Sequence, residues 1–195
     1  MNSCSPNDSF NKDGNRDLTT DNIKKNNDSL VHFINNEYYL YQRALKNNNL
    51  KAIESFKGKD LNQEDILVLS QLFGFKNKDE FEDILRHQIL LGHYIESAYD
   101  FTESPSKLQL NIIQSGIEDS DWSNAQTIYG DGDCMSHYND CVTEAIAMDV
   151  IMTAGCTATD PFAIACGVAA AVYTTAEIND CQLDYDDCVD NQQNS

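Results

Sequence analysis

From Ser29 onward the apolar positions Leu30, Phe33, Ile34, Tyr38, Leu40 and Tyr41 recur at spacings close to three and four, which predicts a first helix running to about Lys46. A shorter helix is expected around Leu50 to Phe56. Asp60 with Gln63 forms a capping-box pattern ahead of Ile66, Leu67, Leu69 and Leu72, and Gly74 supplies a stop. Asn77 with Glu80 repeats the device before Phe81, Ile84, Leu85, Ile89, Leu90, Tyr94 and Ile95, a helix that should reach about Phe101. Ser104 followed by Pro105 reads as a cap and first-turn proline for a helix through Leu108, Ile112 and Ile113 that ends at Gly116.

The polarity of the flanking stretches divides the chain. Residues 1–28 are almost free of large apolar side chains and are expected to be a disordered tether. Residues 29–116 read as a small helical bundle and 117–131, rich in Gly, Ser, Asp and Asn, as a linker. Residues 132–190 read as a helical hairpin, followed by a 191–195 tail. No stretch is long and apolar enough to be a transmembrane helix, and Met1 to Ser3 carry neither the basic nor the apolar segment of a conventional signal peptide. The expected fold class is all-α.

The hairpin rests on cysteine spacing. "CMSHYNDC" and "CQLDYDDC" state one pattern twice: Cys134, Tyr138, Cys141, then Cys181, Tyr185, Cys188. Seven residues is close to two helical turns, so both cysteines of each motif fall on one face with the tyrosine between them. In two antiparallel helices, facing residues have position numbers that add to a constant. Cys134 with Cys188, Cys141 with Cys181, and Cys156 with Cys166 satisfy this together, all centred on Pro161. Gly155 is the expected stop of the first arm, with Asp160 as cap and Pro161 at the first turn of the return helix. Ala145, Ala169, Ala170 and Ala171 are small enough to admit the close backbone approach that a cystine requires. A ladder of three disulfides follows. A zinc site is the rival use of six cysteines, but zinc modules favour shorter spacings.

Charge narrows the function classes. The formal net charge is −19, and after Lys107 the chain has fifteen carboxylates and no Lys or Arg. Such a surface suits neither a nucleic acid nor an anionic membrane. Seven cysteines, six of them in the last third, imply an oxidising compartment and leave Cys4 over.

Candidate catalytic groups are sparse. His87 and His93 lie on different faces of one helix, and His93 with Glu96 or His137 with Asp140 reads as a surface pair. No GxSxG, Walker-type loop or dinucleotide fingerprint occurs. "YGDGDC" is acidic and unsuited to phosphate, Asp131 and Asp133 do not complete an EF-hand loop, and Asp184, Asp186, Asp187 and Asp190 read as a charged outer face. The chain is therefore expected to be no enzyme, with no cofactor and no metal.

Three resemblances add to this reading. The twin Cys motifs resemble the coiled-coil-helix-coiled-coil-helix proteins, which staple two antiparallel helices, although the spacing differs and a third pair is added here. The opening "NSCSPNDS" is similar to the start of mature surface lipoproteins of Bacteroidota, which implies a lipid anchor on Cys4 and an outer-membrane or cell-surface location. "YGDGDC" distantly resembles the YGNGV motif of pediocin-like bacteriocins, whose basic character this half of the chain lacks. The expectation is an exported, non-catalytic binding, scaffold or accessory subunit. Its partner would be a protein of the cell envelope, with membrane contact only through the anchor. The alternative is a secreted bacteriocin-like or toxin-like precursor with the hairpin as its active part.

Overall fold

The structure, a computed structural model, describes residues 20–101, 105–126, 132–156 and 162–193. Among these residues the fold is all-α, with eight helices and no strand. They are α1 (Thr20–Lys46), α2 (Leu50–Glu54), α3 (Gln63–Leu72), α4 (Lys78–Tyr99), α5 (Lys107–Glu118), α6 (Asp121–Gln126), α7 (Asp133–Gly155) and α8 (Ala163–Gln193).

The first helix begins at Thr20, earlier than the apolar pattern signalled, and takes in the end of the segment expected to be tether. From Leu30 its periodic positions do what they predict: Leu30, Phe33, Ile34, Leu40 and Tyr41 are all buried. Two caps sit away from their expected places. The cap of α3 is Asn62, whose side chain accepts from Asp65 N while Asp65 answers to Asn62 N, so Asp60 and Gln63 are not the capping pair. Reciprocal bonding needs a carboxylate three residues beyond the cap, and Asn62 to Asp65 supplies it. Ser106 caps α5 with Gln109 as its reciprocal partner, which leaves Pro105 ahead of the cap and not in the first turn. Asn77 caps α4 as expected, accepting from Asp79 N at 3.0 Å, but Glu80 does not return the bond that would complete the expected capping box, and Asp100 ends that helix in the left-handed conformation at φ 58°.

Glycine plays two parts. Gly74, at φ +78°, turns the chain after α3 as expected of a stop. Gly116 does not stop α5, which runs on to Glu118; a Cβ there would lie 2.8 Å from side-chain atoms of Leu30 and Ile34, so it marks a close helix contact. Gly155 closes α7 as predicted, whereas the proposed caps Asp160 and Pro161 lie outside the described residues.

The hairpin does not stand apart from the bundle. Helix α7 packs against α8, α4 and α5, while α8 also meets α1, α2 and α4. One continuous apolar cluster joins Phe33, Ile95, Ile113 and Trp122 of the N-terminal helices to Val142, Ile146, Val150 and Ile178 of the hairpin. A second cluster sets Phe73, Phe75 and Phe81 beside Val168 and Val172. Apolar and small residues line α7 on several sides, which is why it lacks a clean amphipathic period. On the flank, Lys57 pairs with Glu177 and lies 5.0 Å from the centre of the Tyr173 ring, tying the turn after α2 to α8. Arg43, at the end of α1, donates to Phe73 O and Gly74 O, closing the C-terminus of α3.

Candidate functional site

Two constructions stand out, one legible in the sequence and one hidden from it. The first is the ladder. Antiparallel α7 and α8 bring Cys134 to Cys188, Cys141 to Cys181 and Cys156 to Cys166 as disulfides, with Cα separations of 5.8, 5.8 and 5.7 Å. These are the predicted pairs. The heptad-like spacing keeps each motif on the facing side of its helix, so one register satisfies all three bonds.

Between the two outer staples the motif tyrosines meet. Tyr138 and Tyr185 have ring centres 5.8 Å apart at an interplanar angle of 63°, an edge-to-face pair. Beside them lies a cavity of about 330 Å³, lined by the four half-cystines of the outer staples with His137, Tyr138, Asp184 and Tyr185. Cys4, the proposed anchor, lies outside the described residues.

The second construction is a buried polar junction. Glu37 of α1, Gln88 of α4 and Asp149 of α7 meet in the interior, with Thr174 of α8 beside them. Glu37 and Asp149 are 1% and 0% exposed. Gln88 Nε2 donates to Glu37 Oε1 at 2.8 Å and to Phe33 O at 3.1 Å, while its own Oε1 accepts from Asn36 Nδ2 at 3.1 Å. Among the described residues no donor stands at good hydrogen-bonding geometry to Glu37 Oε2 or to either oxygen of Asp149, although Thr174 and Gln88 are close by.

Two enclosed carboxyl groups in contact cannot both remain ionised at low cost. Burial raises the Asp149 carboxyl to about 7, with Glu37, Thr174 and Gln88 drawing it down somewhat. Glu37 is held well above the usual carboxylate range by burial first and then by the charge of Asp149. A proton held between them supplies a donor for the oxygens that Gln88 does not reach. Enclosed as it is, the pair forms a proton-dependent tie between the N-terminal helices and the hairpin.

Sequence reasoning missed this junction. One signal was Asp149, alone within the apolar run "AIAMDVIM", where a solvated carboxylate has no place. The histidines fall elsewhere. His93 Nε2 bonds Cys156 O at 2.6 Å and so ties α4 to the hairpin tip, and His137 borders the tyrosine cavity. Among the described residues no group of three or more His, Cys, Asp or Glu side chains is placed to hold a metal ion, and no helix is long and apolar enough to cross a membrane. Asp131 lies outside the described residues.

Comparison with protein families, with curated proteins and with solved structures gives no match. The class that the fold itself defines is an all-α protein with a disulfide-stapled helical hairpin. Three disulfides in a chain of this size point to an oxidising, extracellular environment.

Proposed function

We propose that this chain is an exported, non-catalytic binding protein, a scaffold or accessory subunit of a cell-envelope assembly held to the outer membrane or cell surface by a lipid on Cys4. The observation that carries the reading is the triple staple. Three covalent ties hold two helices in one register and keep the cavity-bearing end of the hairpin in a fixed shape, which is the preorganisation a recognition surface benefits from. The resemblance of "NSCSPNDS" to lipoprotein starts supplies the anchor, and the charge of −19 favours a basic or cationic partner surface over nucleic acid.

The shared core favours a chain that works intact over a precursor from which the hairpin is released. Separation would expose Val142, Ile146 and Val150, now buried against the N-terminal helices.

The test is purification of the wild-type chain and of Cys4→Ser from membranes of the native host. The reading expects a lipid on the wild-type N-terminal peptide, release of Cys4→Ser from the membrane fraction, and one stoichiometric protein partner retained by both. A wild-type chain found soluble, unlipidated and alone would overturn it.

A further inference from the structure

We infer that the cavity between the outer staples is a binding site for an organic ammonium group. The inference deepens the binding reading above, from which it takes the hairpin as the recognition element. Tyr138 and Tyr185 line the cavity at an interplanar angle of 63°, so their rings make a corner and not a flat wall. A corner of two electron-rich rings attracts a cation through the ring quadrupoles, and tyrosine serves this purpose well. The Asp184 carboxylate stands on the lining of the same cavity and supplies a counter-charge.

The surroundings favour a cation further. The described parts of α7 and α8 contain no Lys or Arg, so no side-chain ammonium or guanidinium of the hairpin competes for the corner. Asp133, Asp140, Asp186, Asp187 and Asp190 are exposed on the same end of the hairpin and add to a negative field. A volume of about 330 Å³ is at the small end of ligand pockets and suits a head group or side-chain tip better than a large metabolite. The disulfides supply stiff walls, because each ring sits between two half-cystines of its own helix. The repeated Cys-x3-Tyr-x2-Cys pattern thus has a use for its tyrosines as well as for its cysteines.

The ammonium can be quaternary and free, or the tip of a lysine on a protein partner. Titration calorimetry of the full chain at low salt distinguishes them with three probes: choline, N-acetyl-lysinamide, and 3,3-dimethylbutanol as the uncharged isostere of choline. The site predicts saturable binding of at least one ammonium probe and at least about tenfold weaker binding of the neutral isostere. Choline binding more tightly assigns a quaternary ligand; lysinamide binding more tightly assigns a protein side chain. Tyr185→Phe should hold affinity within about threefold, Tyr185→Leu should lose about tenfold or more, and Asp184→Asn, an exposed change that leaves the core intact, should lose about threefold. No saturable binding of either ammonium probe, or equal binding of choline and its neutral isostere, overturns the assignment. Retention of an envelope partner in that case would leave the broader binding reading standing.

Discussion

Asp149 and Glu37 show how much one pair of side chains can decide. Their folded-state carboxyls titrate above the unfolded range, so the folded chain holds a proton there that the unfolded chain has released. The stabilisation from this pair is therefore fully present below about pH 4, the unfolded carboxylate range, and is lost as pH rises through about 7, where Asp149 titrates. Asp149→Asn replaces one carboxyl by an amide that can donate to Glu37. Thermal unfolding followed from pH 4 to pH 8 should show the wild type losing stability relative to this variant, by on the order of 2 kcal/mol across the window. Parallel pH profiles of the two proteins would show that the pair shares no proton. Glu37 lies three and four residues from Phe33, Ile34, Leu40 and Tyr41, so the helical period sets it on the buried face, while its charged type alone suggests solvent. The junction exists only after four helices converge, and the sequence marks it only by two misfits, Asp149 in an apolar run and Glu37 on the apolar face of α1.

At the scale of the element, the ladder was readable because helix geometry leaves little freedom. One antiparallel register aligns three cysteine pairs, and a one-residue slip would turn the staples off the shared face. Caps and ends were less readable, since Asn62 and Ser106 compete with nearby polar residues of equal propensity, and only backbone geometry selects between them. Gly116 reads as a stop in sequence because a glycine at a helix end and a glycine at a close packing contact look alike there. The composition of 117–131 suggests a linker, yet it contains helix α6, whose Trp122 is buried beside Tyr38 and Tyr41, with ring centres 5.1 and 6.3 Å away.

The staples differ in access and in the loop they close, and this gives a further expectation. Cys166 is exposed at the hairpin tip, while each outer staple has one sulfur-bearing residue buried and the other half-buried. Limited reduction followed by alkylation and peptide mass spectrometry should therefore open Cys156–Cys166 first. Its loss should also cost least. By the chain-entropy relation a closure of 10 residues contributes about 3 kcal/mol and one of 54 about 4 kcal/mol. Early opening of Cys134–Cys188 would contradict the packing of that end around the tyrosines.

At the scale of the whole molecule, bundle and hairpin are one folding problem. Helices α1 and α4 bury their apolar faces partly on α7 and α8, and α7 has few faces left for solvent. Heating should produce a single transition, coincident by near-ultraviolet and far-ultraviolet circular dichroism. Two separated transitions would show that the hairpin folds independently of the helices before it. Cutting after Gly132 should for the same reason cost the N-terminal helices most of their cooperativity.

The central claim is covalent: six cysteines form one ladder in one register. Non-reducing peptide mapping and intact mass of the chain from its native host test this most directly. The account predicts a mass about 6 Da below that of the reduced chain, as three cystines require, with Cys134 linked to Cys188, Cys141 to Cys181 and Cys156 to Cys166. Free thiols at these six positions, or any other pairing, would contradict both the hairpin register and the oxidising environment inferred from it.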